Sequence, residues 1–342
     1  MQNRLSEGNL LNEKGELEQA GYATSLVRRY DRNNIKVSKL KIKEWDYYLV
    51  YNENVAIALT VADNGYMGML SASVINFKTK KEKTSSIIEM FTKGKYNLPA
   101  SSRRGDILVK TNQAEFKFLH EKEKRHLVVE YKNFDERKNL SVDITLSEEP
   151  KDSMVIATPF KDKPKAFYYN QKIIGFKATG VVKYGDETIL LGEDTLGLLD
   201  WGRGVWTYKN TWYWGAITGV VNGKIFGINM GYGFGDTSNA SENMAFYDGG
   251  STKLDQIKFV IPKTKKGKYD YLMPWKITSN DGAVDMTFAP ILNRHSDTNL
   301  LVLRSNQNQV FGKFTGTVKL KSGDVLNIKE MIGFAECVYN KW

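Results

Sequence analysis

The sequence predicts an all-β protein whose antiparallel strands form two barrels or half-barrels in tandem, with few short helices. Apolar and polar residues alternate in short runs along most of the 342 residues, and Gly, Asn and Asp separate the runs. The aromatic residues are mainly 18 Tyr and 16 Phe, which suit pleated, half-buried surfaces. The chain lacks the alternation of strands and long helices that is typical of a parallel sheet. Its length favours two domains.

Turn signals set the order of the elements. In the first half, residues 52–54 and 63–65 are short links of the kind that join antiparallel neighbours, and 184–186 and 221–223 do the same in the second half. Only residues 1–32 and 85–93 offer weak helical periodicity. A boundary near 149–164 predicts domains at 1–164 and 165–342. The expected strands are 47–52, 55–62, 67–76, 106–111, 114–120, 125–131, 140–146, 177–184, 187–191, 212–221, 224–231, 243–247, 256–260, 275–279, 284–290, 309–319 and 325–335.

Charge and composition narrow the class of partner. The net charge of +10 comes from 49 basic and 39 acidic residues, and the excess is spread along the chain. Nucleic-acid binding usually needs a clustered basic footprint, so we expect no nucleic-acid partner. No apolar stretch is long enough to span a membrane, since Asp63 interrupts 55–77. The single cysteine, Cys337, and the absence of a signal-peptide pattern favour a cytoplasmic location.

The most unusual segment, 199–215, contains four of the seven tryptophans. Trp212 and Trp214 should share one face of a strand, because side chains alternate along it. An aromatic wall with a few polar groups is typical of a ligand pocket. The alternative is an aromatic plug that closes a barrel end, with Asp200 and Arg203 paired to each other. The candidate ligand-binding residues are Trp201, Arg203, Trp206, Tyr208, Trp212, Trp214, Asn229, Asn243 and Trp275.

Three acids lie among apolar neighbours and are the candidate catalytic residues: Asp200, Glu242 and Glu336. Burial would raise their pKa and allow general-acid chemistry near neutral pH. The alternative is that they form structural ion pairs with arginines. The spacing along the chain does not show which of them converge. The three histidines lie outside the tryptophan segment, and no zinc-binding spacing occurs, so we predict neither a metal nor a cofactor.

Several motifs together resemble one family. They are DWGRGVW and TWYWGAITG in 199–219, GINMGYGFG in 227–235, SENMAFYDG in 241–249, LMPWKITS in 272–279, QVFGKFTG in 309–316 and IGFAECVYNKW in 332–342. This pattern is similar to the bacterial family called domain of unknown function 2804. The resemblance implies a lipocalin-like (calycin) fold, distantly similar to carotenoid hydratases of the hydroxyneurosporene synthase type. It assigns no catalytic residue here, so the analogy is one of fold.

Three functions remain open on the sequence. The first is a protein that binds or transforms an apolar, lipid- or isoprenoid-like molecule in a barrel cavity; if it is an enzyme, it is a hydratase, isomerase or lyase that uses carboxyl groups. The second is a carbohydrate-active protein with paired carboxylates and an aromatic platform. The third is a scaffold with a filled interior. The sequence predicts no oligomeric state.

Overall fold

The computed structural model describes residues 2–300 and 303–341, which form one two-stranded sheet, one of thirteen strands and one of nine. In chain order the first strands are β1 (Gly8–Asn9), β2 (Gly21–Ala23), β3 (Arg28–Arg29), β4 (Ile42–Tyr51), β5 (Val55–Asp63), β6 (Met67–Asn76), β7 (Lys81–Met90), β8 (Ile107–Lys110), β9 (Ala114–Glu121), β10 (Lys124–Asp135), β11 (Lys138–Ser147) and β12 (Met154–Pro159). The others are β13 (Phe167–Tyr184), β14 (Glu187–Leu191), β15 (Leu196–Val205), β16 (Lys209–Val221), β17 (Lys224–Tyr232), β18 (Met244–Tyr247), β19 (Gly250–Lys253), β20 (Ile257–Val260), β21 (Trp275–Ser279), β22 (Val284–Leu300), β23 (Leu303–Lys319) and β24 (Val325–Lys341).

The two large sheets follow the same path. In the first, β4 to β7 run outward, and the chain then returns from the far edge, β8, until β15 pairs with β4. In the second, β16 to β19 run outward, and the chain returns from β20 until β24 pairs with β16. All neighbours within each of these sheets are antiparallel. The protein is therefore two curled antiparallel half-barrels in tandem, which confirms the predicted lipocalin-like class.

Local sequence explains the turns and the near absence of helix. Asn222 and Gly223 adopt φ of 50° and 77°, which is the conformation that a tight two-residue hairpin between β16 and β17 requires. In the described residues the only helices are two 3-10 turns, Arg32–Asn34 and Lys39–Lys41. None of the helices in 2–300 and 303–341 has the length and apolar character needed to cross a membrane. Most of 85–93, where helical periodicity was weak, belongs to β7.

The division between the sheets falls later in the chain than the predicted domain boundary. Strands β13, β14 and β15 belong to the first sheet, so the change of sheet lies between Val205 and Lys209. The domain limits 1–164 and 165–342 remain a prediction about which parts of the chain fold as units. The division between the two hydrogen-bonded sheets is a separate observation and falls after Val205. As a consequence, DWGRGV lies on the last strand of the first sheet, Trp206 lies in the link, and TWYWG lies on the first strand of the second sheet.

Buried apolar side chains form three clusters. One cluster fills the interior of the first sheet and another fills the interior of the second. The third lies between the sheets and takes side chains from both, including Leu49, Tyr168 and Leu198 from the first and Trp214 and Phe334 from the second. We call this third region the junction. Its polar members form the candidate site.

Gly202, on β15, has no room for a side chain. A methyl group there would lie 1.9 Å from Cζ2 of Trp45, whose indole crosses the glycine. We expect Gly202→Ala to lower the free energy of unfolding by about 2 kcal/mol or more, because overpacking displaces a ring and the backbone. Urea denaturation measures this change. Gly192→Ala is the matched control, since its nearest atom is 3.4 Å away; equal losses in both variants would contradict this account.

Candidate functional site

Strand register brings polar side chains from both sheets to the junction. Lys172 on β13 lies opposite Asp200 on β15, and opposite residues of antiparallel strands share a face. On the second sheet, Trp214, Glu336 and Gln309 lie opposite one another across β16, β24 and β23. These two rows face each other. The ammonium group of Lys172 lies 3.9 Å from the ring centre of Trp214 and so connects the sheets.

Asp200 is held by two donors from β13. The ammonium of Lys172 lies 2.8 Å from Oδ1 of Asp200, and the amide of Asn170 donates to the same oxygen at 2.6 Å. All three side chains are buried. The amide oxygen of Asn170 has no hydrogen-bond partner among the described residues. A buried acceptor of this kind is a position where a water molecule or a ligand hydroxyl could bind.

Glu336 is a buried acid with two neutral donors. The indole N–H of Trp212 donates to its Oε1 at 3.0 Å, and the Gln309 amide donates to Oε2 at 3.1 Å. Burial raises the pKa of the Glu336 carboxyl to about 7, while the hydrogen bond from Trp212 and the charge of Lys172 act in the opposite direction. Near neutral pH this carboxyl is therefore present in both the acid and the carboxylate form.

Glu242 enters the junction from the segment between β17 and β18. Its carboxyl group lies against Gly231, where an added methyl group would come within 2.6 Å of Oε1, so the glycine makes space for the acid. Asn229 accepts from the indole of Trp214 at 2.8 Å and donates to the backbone carbonyl of Glu242 at 2.6 Å. Burial raises the pKa of the Glu242 carboxyl, and the charge of Lys172 opposes the shift.

A small part of the junction remains open to water. The exposed fraction is 7–8% for the three acids, Asp200, Glu242 and Glu336. It is zero for the core residues Phe226 and Phe288. Tyr47, Tyr168, Phe234, Gln309 and Trp214, which also belong to the junction, keep 6–7%. The three acids are therefore largely enclosed, among the aromatic rings of the junction. The interiors of the two sheets are filled by their own apolar clusters, so the site lies between the barrels.

A cleft lies near the junction and shares Trp206 with it. It has a volume of about 650 Å³ and is lined by residues from the first sheet and its loops, by Val205 at the end of β15, and by Trp206, Thr207 and Tyr208 from the link between the sheets. The ring of Trp206 packs edge-on against Trp212, with centres 6.1 Å apart, and Trp212 donates to Glu336. Five rings separate the cleft from the acids, and we call them the aromatic wall: Trp45, Tyr168, Trp206, Trp212 and Phe234.

The structure places the predicted residues in three groups. The junction receives Asp200, Glu242, Glu336, Trp212, Trp214 and Asn229, while Trp206 and Tyr208 line the cleft. Four predicted residues lie elsewhere, and none of them faces the acids.

Trp201 and Arg203 point into the first sheet. Arg203 pairs with Asp46 at 3.0 Å and stacks on Trp201, so the alternative pairing of Arg203 with Asp200 is wrong. Trp275 belongs to the core of the second sheet, and its indole donates to the carbonyl of Tyr271. Asn243 joins the backbone of Gly231 to that of Asp255. The positions of Trp201 and Arg203 follow from the alternation of side chains along β15. Trp201 is adjacent to Asp200 and must face the opposite side of the sheet.

Sequence reasoning missed Lys172, Asn170 and Gln309. A signal for Lys172 was present, because the polar residues NQK lie between the apolar runs FYY and IIGF of one strand, where a lysine needs a partner. The histidines lie away from the junction: His120 contacts the carbonyl of Ser102, and His126 contacts Asp143. In 2–300 and 303–341, no group of three His, Cys, Asp or Glu side chains is placed to hold a metal ion.

These features define a class of protein: two lipocalin-like barrels with acids enclosed between them. The chain belongs to the family described as domain of unknown function (DUF2804), whose model matches residues 2–342. This confirms the resemblance seen in the motifs. No curated protein matches the chain significantly in sequence.

Two solved structures share the fold. Kievitone hydratase from Nectria haematococca has a TM-score of 0.56 and 11% identity, over 97% of this chain and 98% of that one. A Nitrosomonas europaea protein described as an AttH has a TM-score of 0.56 and 11% identity, over 92% of this chain and 98% of that one. At this level of identity, the similarity shows the fold alone.

Lys172 and Asp200 should stabilise the fold only when both charges are present. We expect Lys172→Met to destabilise the fold by about 3 kcal/mol, because it leaves a buried carboxylate without its cation. The double variant Lys172→Met with Asp200→Asn should recover most of that loss. Urea denaturation of the two single variants and the double variant tests this coupling. Additive losses would show that the two groups act independently.

Glu336 should make stability depend on pH. Its pKa is about 7 in the folded protein and 4.5 ordinarily, so the folded state binds this proton more tightly. The stability it contributes is complete below pH 4.5 and is lost as the pH rises through 7. Glu336→Gln should therefore gain up to about 3 kcal/mol relative to the wild type between these limits. Urea titrations at several pH values measure this, with Glu330→Gln, which removes an exposed carboxyl group from the same strand, as the matched control.

Proposed function

We propose that this protein binds an apolar, unsaturated small molecule at the junction and adds water to, or removes water from, a carbon–carbon double bond. The observation that carries the proposal is the meeting of Asp200, Glu242 and Glu336 around Lys172, although these residues lie far apart in the chain. Enclosed acids beside indole rings suit the protonation of an apolar substrate. Kievitone hydratase shares the fold, and this supports hydration as the class of reaction. It does not assign a role to any residue of this chain.

In the proposed reaction, Glu336 is the general acid. Its protonated carboxyl gives its proton to one alkene carbon, and the positive charge that develops on the other carbon is stabilised by the indole of Trp212. Water forms the new carbon–oxygen bond, and Asp200 accepts the proton that water loses. Proton exchange with solvent then restores both carboxyl groups. Dehydration follows the same steps in reverse.

Each group has support for its role. Glu336 has a pKa of about 7, which is suitable for an acid that works near neutral pH. Asp200 is fixed by Lys172 and Asn170, so its carboxylate has a defined position. The unpartnered amide oxygen of Asn170 is available to accept a hydrogen bond from the reacting water.

The carbohydrate alternative has less support. Glycosidases place two carboxyl groups across a cleft that admits a sugar chain. Here the acids are enclosed, and the rings of the aromatic wall pack against one another, edge-on except for the stacked pair Trp45 and Tyr168, and do not form an open platform.

The test is hydration in water labelled with heavy oxygen. A panel of isoprenoid and phenolic alkenes is incubated with the protein, and mass spectrometry detects the gain of one labelled water. We expect Glu336→Gln to lower the rate by about 10²- to 10⁴-fold, which is typical for loss of a general acid. Binding of the neutral fluorophore N-phenyl-1-naphthylamine should change by less than about twofold, because the amide keeps the shape of the site.

Glu330→Gln is the matched control, because it removes an exposed carboxyl group from the same strand and should leave the rate unchanged. Hydration that persists in Glu336→Gln would contradict the role of this acid. If the panel gives no labelled product and the fluorophore does not bind, the junction is not a ligand site.

A further inference from the structure

The cleft beside the aromatic wall has one sign of charge. Its lining contains four lysines and no Asp or Glu: Lys41, Lys43, Lys163 and Lys165. Three of these lysines are exposed, and they come from two separate loops, before β4 and before β13. The excess charge of the whole chain is spread thinly, so an all-lysine lining is a local feature. Four cations around a cavity attract an anion and disfavour a cationic or bare apolar ligand.

Lys43 is the deepest of the four. It is almost fully buried, and its ammonium donates to the carbonyl of Asn64 at 2.8 Å and lies 4.3 Å from the ring centre of Tyr66. Burial lowers the pKa of Lys43 to about 7, although the charge of Asp63 opposes the shift. A carbonyl and a ring satisfy this cation only in part, and a nearby anion would stabilise its charged form.

The rest of the cleft is apolar and ends at the aromatic wall, where Trp206 lines it. Val37, Ala166 and Val205 line it together with Tyr66, Trp206 and Tyr208. Trp206 belongs both to the cleft and to the aromatic wall, and its neighbour Trp212 donates to Glu336. A volume of about 650 Å³ is within the range of small-molecule sites. The arrangement is therefore cationic at the surface and aromatic toward the junction.

We infer that the ligand is an acidic amphiphile, whose carboxylate or phosphate group binds the lysines of the cleft while its apolar part lies along Trp206 toward Glu336. This inference rests on the proposed function and defines its substrate class. Both acid groups would interact with the same lysines, so the experiment includes each of them. An uncharged amphiphile of equal length should bind more weakly, since it loses every contact with the lysines.

The test compares dodecanoate, dodecyl phosphate and uncharged dodecanol as competitors of N-phenyl-1-naphthylamine. We expect the two acids to bind about tenfold more tightly than dodecanol, because three partly exposed charge contacts of ordinary strength add up to that factor. The variant Lys41→Gln, Lys163→Gln, Lys165→Gln should remove the difference. Lys43 stays unchanged, because it holds the Asn64 carbonyl. A preference for the phosphate or the carboxylate identifies the acid group.

The matched control is Lys78→Gln, Lys80→Gln, Lys81→Gln, which removes the same charge. These exposed lysines lie at the far end of the ten-residue strand β6, roughly 30 Å from Tyr66. The acids should keep their advantage in this control. If all three compounds bind equally, or if the control loses the difference too, the inference is overturned and the apolar site stands. If none of them displaces the fluorophore and the fluorophore itself does not bind, the proposed function is overturned as well.

Discussion

Charge enclosed between two sheets is the constraint on which the junction depends. A carboxylate removed from water must find a cation or enough donors, or else take up a proton. The protein uses both solutions within one region. Asp200 has Lys172 and Asn170, whereas Glu336 has two neutral donors and a raised pKa. Lys172 acts on all three acids, Arg294 also acts on Glu336 and Lys253 on Glu242, and burial nevertheless raises the pKa of the last two carboxyl groups.

The tandem fold explains how such a region arises. Each barrel has an outer face as well as an interior, and β4, β13 and β15 turn their outer face toward β16, β23 and β24 of the second barrel. Since side chains alternate along a strand, each strand supplies one set to its own core and another to the junction. The link between β15 and β16 carries Trp206 across the boundary. A short connection therefore places an indole beside both the cleft and the acids.

The local sequence pattern was enough to predict the all-β class, the hairpins and the common face of Trp212 and Trp214. Periodicity and turn residues act over only a few positions of the chain. The convergence of Asp200, Glu242 and Glu336 could not, because it depends on which strands pair across more than a hundred residues. Parity could have separated Trp201 from Asp200, and it was not applied within DWGRGVW. The predicted domain boundary near 149–164 and the change of sheet after Val205 are different divisions of the chain, because β13 to β15, which follow Pro164, pair with strands of the first sheet.

Enclosure also bears on the kind of chemistry the junction can support. In an open cleft, water would solvate the acids and return the pKa of Glu336 toward its ordinary value, since burial is the largest cause of its shift. An enclosed acid beside indole faces is instead suited to an apolar substrate that brings little water with it. In the proposed complex the lysines of the cleft serve a different purpose, because they hold a charged end at the surface, where its desolvation cost is small. Separating the charged end from the reacting end allows a single molecule to satisfy both environments.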